Sequence, residues 1–304
     1  MEKFKFGKAI CYSGFRENQS PHKGTFPTYE ETLEDLRILE KEYKYIRMYA
    51  PNKHAEITLQ VIRDYKIDLQ VMLGVDLLGE HNNPDCSWGG DYTLEETKKH
   101  VLLNLEHLND LVKLANEYED IIFSVSAGNE AVPEWNENLV KPDKVLEFVK
   151  ILKNKVKQPV TYCDGNHYWL TNLQEVALEV DFISIHTYPA WIGSDIDGAI
   201  EIAKDDFEKV QKRYPDKVCI ITETGWPTNS DGKSMKKEVA KLNKQNRYIK
   251  EINNWSKETQ TLVFLFEAFD EPWKGSNNPE EPEKNWGLYY VDRTLKNKEI
   301  KWNN

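Results

Sequence analysis

Short runs of β-branched and other apolar residues recur along the chain, separated by longer segments with an apolar residue every three or four positions. The short runs predict eight β-strands, at residues 6–12, 45–49, 68–74, 121–126, 159–163, 182–187, 218–222 and 262–266. The longer segments predict amphipathic helices, among them residues 29–42, 94–118, 144–155, 200–213 and 236–257. Strands that alternate with crossover helices form a parallel sheet, and eight such repeats favour an α/β fold closed into a (β/α)8 TIM barrel.

The helix predicted at residues 94–118 illustrates the pattern. Its apolar side chains fall on one face, which we expect to pack on the barrel: Leu102, Leu105, Leu108, Val112 and Ala115. An open, doubly wound sheet is the alternative architecture. That fold usually has a GxGxxG turn after its first strand, and the segment Cys11-Tyr12-Ser13-Gly14-Phe15 does not match it. No linker or repeat divides the sequence, so residues 1–304 are expected to form one barrel domain.

Composition narrows the class of protein. The chain has 304 residues, of which 39% are hydrophobic, and this is enough apolar material for a large core and excludes a disordered chain. No apolar run approaches the length of a membrane span, which is about 18 residues. The formal net charge is −11, and no basic cluster is available to neutralise phosphates, so nucleic acid is not an expected partner.

The four cysteines are Cys11, Cys86, Cys163 and Cys219, and they stand far apart without a CxxC pair. This spacing argues against a structural zinc site. Three of them lie in apolar, strand-like runs, where a free thiol behaves as a small hydrophobic residue. The cysteines therefore give no sign of a structural zinc site, and no other feature of the sequence implies a metal ion or an organic cofactor.

Tryptophan is concentrated in the segments that follow the predicted strands. In a parallel barrel these segments all lie at the end where ligands bind. Indole rings suit the C–H faces of sugars and add one N–H donor each. Seven of the nine tryptophans are expected at this rim, although each could instead pack its own loop: Trp88, Trp135, Trp169, Trp191, Trp226, Trp273 and Trp286. Trp255 and Trp302 are the exceptions.

Two glutamates each follow an apolar strand at the point where a loop begins. Glu130 ends the run that starts at Ile121, and Glu223 ends the run that starts at Val218. A carboxylate at such a position contributes little to a core, and its alternative role is an ion pair with an arginine at the rim. Glycoside cleavage uses such a pair, one carboxyl group as proton donor and one as an ionised carboxylate. A separation of about 5–5.5 Å gives retention of configuration, and a wider one admits water and gives inversion.

Polar residues beside these glutamates suit the same chemistry. Asn129 precedes the first glutamate and could donate its amide to a sugar hydroxyl. Tyr188, which follows the sixth strand, could donate to the ionised glutamate, with plain packing as its alternative. His186, two residues earlier, is interpreted as structural rather than catalytic.

Gly128-Asn129-Glu130 and Thr222-Glu223-Thr224-Gly225-Trp226-Pro227 resemble the signatures of glycoside hydrolase family 17, the β-1,3-glucanases of a retaining (β/α)8 clan. Further segments match in order: Cys11-Tyr12, Arg47-Met48-Tyr49, Tyr188-Pro189, Phe266 to Lys274, and Trp286-Gly287-Leu288-Tyr289. The resemblance extends over residues 6–292. Within this family, the sequence is similar to the bacterial and fungal branch rather than to the plant enzymes. Pro272-Trp273 replaces a more polar stretch that is common in plant members, and the loop at residues 76–92 is long.

The resemblance implies specific roles. It makes Glu130 the general acid/base and Glu223 the nucleophile, and it places Glu271, Lys274 and Glu283 beside them as a charged set. A solvated salt bridge is the alternative for Lys274 and Glu283, and a rim ion pair is the alternative for Arg47. Asn129 and Tyr188 are expected to support the pair. The expected substrate-binding residues are Tyr12, Arg47, Tyr49, Trp135, Trp191, Trp226, Trp273 and Trp286.

The resulting hypothesis is a retaining endo-β-1,3-glucanase that hydrolyses laminarin-type glucan through a covalent glucosyl-Glu223 intermediate. A β-1,3-glucanosyltransferase that uses the same site is the second hypothesis, and a non-catalytic glucan-binding barrel is the third. Endo or exo action stays open. The expected partners are β-1,3-glucan chains, and the expected state is a monomer. Because glucan polymers do not readily reach the cytoplasm, we expect a secreted, periplasmic or cell-surface protein whose leader precedes this sequence; an internal protein is the alternative.

Overall fold

The computed structural model describes residues 4–87 and 89–297; Trp88 and Trp302 lie outside the described residues. Eight parallel strands form a closed barrel in chain order, and β1 pairs with β8. The eight strands predicted from the sequence are confirmed, and this closure overturns the open-sheet alternative. The strands are β1 Ala9–Cys11, β2 Tyr45–Met48, β3 Gln70–Gly74, β4 Ile122–Asn129, β5 Val160–Gly165, β6 Phe182–His186, β7 Val218–Thr224 and β8 Val263–Leu265.

Helices surround the barrel and cover the apolar outer face of its strands. Two of them begin with a capping box, Thr28 with Glu31 and Thr93 with Glu96, which satisfies main-chain N–H groups at the helix start. The helices are α1 Tyr29–Leu39, α2 Lys53–Tyr65, α3 Leu94–Glu117, α4 Pro142–Lys155, α5 Asn166–Thr171, α6 Gln174–Glu179, α7 Ile196–Arg213 and α8 Leu242–Thr259. Short 3₁₀ turns occur at Pro21–Lys23 and Pro282–Lys284.

The last helix begins later than predicted. Residues 236–241 are irregular, and α8 starts at Leu242. The reason is tertiary: the Val239 carbonyl accepts a hydrogen bond from the Trp226 indole N–H at 2.8 Å. That carbonyl is therefore committed to a side chain rather than to a helical turn.

The apolar face predicted for α3 is wrong in its first half. Leu102 is 63% exposed and Leu105 is 36% exposed, whereas Leu108 is buried. Asn104 is fully buried instead, and its amide contacts the main-chain N–H and carbonyl of Leu78 at 2.8 and 2.9 Å. Because Asn104 bonds to the loop after β3, the buried face of this part of α3 includes Asn104, and Leu102 and Leu105 face solvent.

The carboxyl ends of the strands are irregular where polar side chains gather. The register shifts between Ser126 and Asn129 on β4, and again near the ends of β6 and β7. Such shifts change the direction of side chains at a barrel rim. Gly128 has φ 154°, and a Cβ there would lie 2.8 Å from Leu77 and 2.9 Å from the Tyr162 ring. Glycine therefore allows β4 to make this bend.

Among the described residues, no helix is long and apolar enough to cross a membrane.

Candidate functional site

Glu130 and Glu223 lie together at the carboxyl ends of β4 and β7. One carboxylate oxygen of each, together with a ring nitrogen of His186 from the end of β6, lies within 4.8 Å of the other two atoms. The three side chains come from strands far apart in sequence, and closure of the barrel brings them together. The two carboxyl groups are therefore close enough to act on the same bond.

Glu223 is held as a carboxylate. Its side chain is only 5% exposed and pairs with the Arg47 guanidinium. The hydroxyls of Tyr49 and Tyr188 donate to its two oxygens at 3.0 and 2.5 Å. Burial alone would raise the pKa of Glu223, but the charges of His186 and Arg47 and the Tyr188 hydroxyl outweigh burial and lower this pKa to about 2.

Glu130 has a different environment. Its side chain is 21% exposed, and Oε1 lies 2.7 Å from Nδ1 of His186. Its backbone is left-handed, with φ 45°, a conformation that is unusual for a residue other than glycine. The main chain is fixed on both sides, because Asn136 donates to the Glu130 carbonyl at 2.5 Å and the Glu130 N–H donates to the Cys163 carbonyl at 2.9 Å. The surrounding loops thus support the strained residue.

His186 lies between the two carboxyl groups, a position that the sequence interpretation missed. Its ring is buried, with Nδ1 at 2.7 Å from Glu130 and 3.6 Å from Glu223. Burial opposes protonation, but the charges of Glu223 and Glu130 raise the pKa of His186 to about 10. The sequence did contain one signal for this position, because His186 is a polar residue at the end of the otherwise apolar strand Phe182–His186.

A second charged cluster adjoins the pair. Lys274 contacts Glu271, and its Nζ lies 3.2 Å from Glu267. Ser13 also donates to Glu271, as does the Trp273 indole N–H at 2.9 Å. Burial and the charge of Glu271 raise the pKa of Glu267, whereas for Glu271 the Lys274 charge overcomes burial and lowers the pKa. Glu267 was not among the predicted residues, although it lies in the Phe266 to Lys274 segment singled out in the sequence.

Two cavities flank Glu130 and Glu223, which line both of them. The smaller has a volume of about 270 Å³ and includes Tyr12, Ser13, Tyr49, Asn129 and Glu271. The larger has a volume of about 700 Å³ and includes Trp135, Tyr188, Trp191, Glu283 and Trp286. Trp273 and Lys274 also line both, so the two cavities adjoin at these residues and at the two glutamates.

Three predicted positions do not line the two cavities. Trp226 is fully buried against Tyr248 and lines neither cavity, which corrects its assignment to substrate binding. Trp169 is also fully buried and donates to the Ser184 carbonyl at 2.8 Å, so it packs the core rather than the rim. Arg47 is 2% exposed and lines neither cavity; it contacts Glu223 and, at 2.5 Å, Oδ1 of Asn129. The alternative of an ion pair is thus correct for Arg47.

The loop after β3 supports the wall of the larger cavity. The buried amide of Asn83 donates to the carbonyls of Glu134 and Asn136 at 2.8 and 2.9 Å. The Cys86 thiol donates to the carbonyl of Trp135 at 3.0 Å. Trp135 itself is 51% exposed. The turn that presents its indole is therefore fixed by a neighbouring loop.

The cluster of Glu130, His186 and Glu223 offers donor atoms at spacings that a metal ion could use. The existing contacts of Glu223 do not favour a cation. Its oxygens already accept hydrogen bonds from Arg47, Tyr49 and Tyr188, and the Arg47 charge would repel a metal ion. The site fits a pair of acid groups better than a metal centre.

Curated relatives are glucan-processing enzymes by name. The chain is 27% identical over 195 residues to a glucan 1,3-beta-glucosidase of Arthroderma benhamiae, which covers 59% of this chain and 61% of the relative. It is 26% identical over 294 residues to a probable glucan endo-1,3-beta-glucosidase btgC of Aspergillus clavatus, covering 89% of this chain. The chain spans 39% of the length of that second relative.

Solved structures share the barrel. An endo-laminarinase from Formosa Hel1_33_131 superposes with a TM-score of 0.77 and 25% identity, covering 94% of this chain and 83% of the other. An active-site mutant of the Rhizomucor miehei beta-1,3-glucanosyltransferase, in complex with laminaritriose, superposes with a TM-score of 0.75 and 20% identity. This second match covers 95% of each chain and supports the fold alone.

The profile of the BtgE/BtgC glycoside hydrolase domain matches residues 9–287, which span all eight strands and both glutamates. This match agrees with the paired carboxyl groups and the aromatic cleft described above. The chain belongs to the BtgE/BtgC glycoside hydrolase domain family.

Proposed function

We propose that this chain is a retaining β-1,3-glucanase of glycoside hydrolase family 17, with Glu223 as nucleophile and Glu130 as general acid/base. The observation that carries the proposal is the pair itself. Its carboxylate oxygens approach within 4.8 Å, which fits the short separation of retaining enzymes rather than the wider gap of inverting ones. The environments of the two groups also differ: Glu223 is 5% exposed and is held by Arg47, Tyr49 and Tyr188, whereas Glu130 is 21% exposed.

In the first step, the ionised Glu223 attacks the anomeric carbon while Glu130 protonates the departing glycosidic oxygen. The C–O bond to the leaving sugar breaks, and an ester bond to Glu223 forms. In the second step, Glu130 removes a proton from water, whose oxygen attacks the anomeric carbon and releases Glu223. Tyr188 and Arg47 hold the nucleophile in place throughout, since each contacts a different oxygen of Glu223.

The cleft favours action within a chain. Cavities lie on both sides of the pair, so sugar units fit before and after the cleaved bond. The names of the curated relatives and of the endo-laminarinase indicate β-1,3-glucan as the substrate class. Because such polymers are found outside the cytoplasm, we place the reaction there.

A glucanosyltransferase is the second candidate. The larger cavity, with Trp135, Trp191 and Trp286 at its wall, could hold a second sugar chain against the glucosyl-enzyme. A bound acceptor that outcompetes water would lengthen glucan rather than shorten it.

The test is a time course with linear β-1,3-gluco-oligosaccharides, followed by chromatography and by NMR of the anomeric protons. Shorter products that first appear as the β-anomer support the proposal. An initial α-anomer overturns the nucleophile role of Glu223, and products longer than the substrate replace hydrolysis with transfer. Binding without turnover, unchanged in E130Q and E223Q, would make the chain a glucan-binding barrel.

A further inference from the structure

His186 is the point at which the two carboxyl groups meet. Its ring lies at the end of β6 and is 2% exposed. Among the described residues, His186 supplies the side-chain nitrogen that lies within hydrogen-bond distance of the Glu130 carboxyl group, at 2.7 Å from Oε1. The same nitrogen is 3.6 Å from Oε2 of Glu223. The ring is thus closer to the proposed acid than to the proposed nucleophile.

The surroundings of the ring assign a proton to Nδ1. The other nitrogen, Nε2, is buried and has no hydrogen-bond partner among the described residues. The titratable groups that face the ring are Glu130 from β4, Cys163 and Asp164 from β5, and Glu223 from β7. With carboxylate oxygens on the Nδ1 side, Nδ1–H is the favoured donor, and its acceptor is Oε1 of Glu130.

A general acid must carry its proton on the oxygen that faces the leaving group. A carboxyl group that rotates freely presents either oxygen. A donor fixed at Oε1 stops this rotation and leaves Oε2 to carry the transferable proton. The left-handed backbone at Glu130 and the hydrogen bond from Asn136 fix the main chain. Among the described contacts, the hydrogen bond with His186 is the one that fixes the orientation of the carboxyl group.

We propose that His186 is a positioning residue for the general acid/base, and that its Nδ1–H holds Oε1 of Glu130 so that Oε2 exchanges protons with substrate and water. The inference rests on the proposed function, in which Glu130 first gives a proton to the glycosidic oxygen and then takes one from water. His186 donates a hydrogen bond in both steps and loses no proton to substrate.

The experiment separates this role from general damage by varying the leaving group. Dinitrophenolate departs without protonation, whereas a sugar alkoxide needs the acid. H186A is therefore assayed on β-1,3-gluco-oligosaccharides and on 2,4-dinitrophenyl β-laminaribioside, with azide present to replace water as the nucleophile in the second step. We expect a loss of about 100-fold on the oligosaccharide. On the aryl glycoside with azide, we expect less than about a tenth of that effect.

Two further substitutions sharpen the test. Asn places an amide N–H near the position of Nδ1, whereas Gln extends it toward Nε2, so H186N should recover activity on oligosaccharide and H186Q should not. If H186A does not fold, this pair still decides the question. His100 is the control, because its Nδ1 contacts the Gly79 carbonyl at the same distance of 2.7 Å and His100 lines neither cavity. H100A should match the wild type on both substrates.

Equal losses on both substrates in H186A, or equal activities of H186N and H186Q, would overturn the inference. E130A, assayed in parallel, tests the proposed function separately. If E130A shows the leaving-group selectivity and azide rescue while the His186 variants do not, only the role of His186 fails. If E130A shows neither effect, the assignment of Glu130 as acid/base fails as well.

Discussion

Arg47 and Glu223 form an ion pair whose side chains are 2% and 5% exposed. The guanidinium also reaches Asn129, the neighbour of Glu130, so one side chain of β2 links the two proposed catalytic positions. A buried pair of this kind stabilises the fold little by itself, but the removal of one partner leaves an uncompensated charge.

We therefore expect R47M to lower the free energy of unfolding by about 3–5 kcal/mol, measured by urea denaturation. Arg47 lowers the pKa of Glu223, so its removal raises that pKa. Because the nucleophile must be ionised, the acid limb of the rate profile should move to higher pH. Arg247 is the control, since its pairs with Asp197 and Glu251 are exposed and R247M should leave both quantities unchanged. An acid limb that stays in place in R47M would contradict the role given to Arg47.

Glu267 and Glu271 both pair with Lys274, but removing the charge of one or of the other should change the stability of the protein in opposite directions. The pKa of Glu267 is raised by burial and by Glu271, so its protonated form resembles a glutamine. Stability from this group is present below its unfolded pKa of about 4.3 and is lost as pH rises through its folded pKa. E267Q should therefore gain stability relative to wild type as the pH rises. E271Q removes the charge opposite Lys274 and should destabilise at neutral pH. Thermal melts of both variants from pH 4 to pH 8 provide the measurement, and the reverse order would refute the assignment.

Trp226 and Trp191 give a direct contrast between core and cleft. Trp226 is fully buried, so W226A should cost about 3–5 kcal/mol of unfolding free energy, as measured by urea denaturation. Trp191 is 36% exposed and lines the larger cavity, so W191A should keep its melting temperature. Its KM for oligosaccharides should rise by up to about tenfold, the effect of a lost aromatic contact. A W226A protein with normal stability and a raised KM would restore the original assignment to the cleft.

Gly225 follows β7, the strand that carries Glu223, and a Cβ at this position would lie 2.1 Å from the carbonyl oxygen of Phe266. G225A must shift the backbone beside Glu223, so we expect a loss of about 1–3 kcal/mol in stability and reduced kcat. Gly198 in α7 is the matched control, because a Cβ there meets no atom of the described residues within 4 Å, its own helical turn and chain neighbours aside. G198A should gain up to about 1 kcal/mol. Urea denaturation compares the two variants, and similar values would contradict the proposed clash.

The sequence predicted the eight strands because each is a short apolar run between turn signals. It also predicted the association of Glu130 with Glu223, because the carboxyl ends of all strands in a parallel barrel meet at one rim. Once β6 was identified, the position of Tyr188 beside them followed from the same rule.

Other positions depend on contacts that periodicity does not contain. Trp226 follows β7 as Trp191 follows β6, yet the chain returns Trp226 to the core, where it packs on Tyr248 of α8. His186 is the last residue of its strand. The spacing of residues in the sequence does not distinguish a buried structural histidine at this position from one that contacts two carboxyl groups. Asn104 has the helical position of a surface residue, and only the loop after β3 explains its burial.

The contacts of Asn83 have a consequence for how the wall of the larger cavity could change. The loop that carries Asn83 and the turn that carries Trp135 follow different strands, but two main-chain carbonyls of the turn depend on one amide of the loop. A replacement loop without an asparagine at this position would leave both carbonyls without this donor. Moving the loop and the turn together would keep both hydrogen bonds, so the two segments act as one unit in any redesign of this wall.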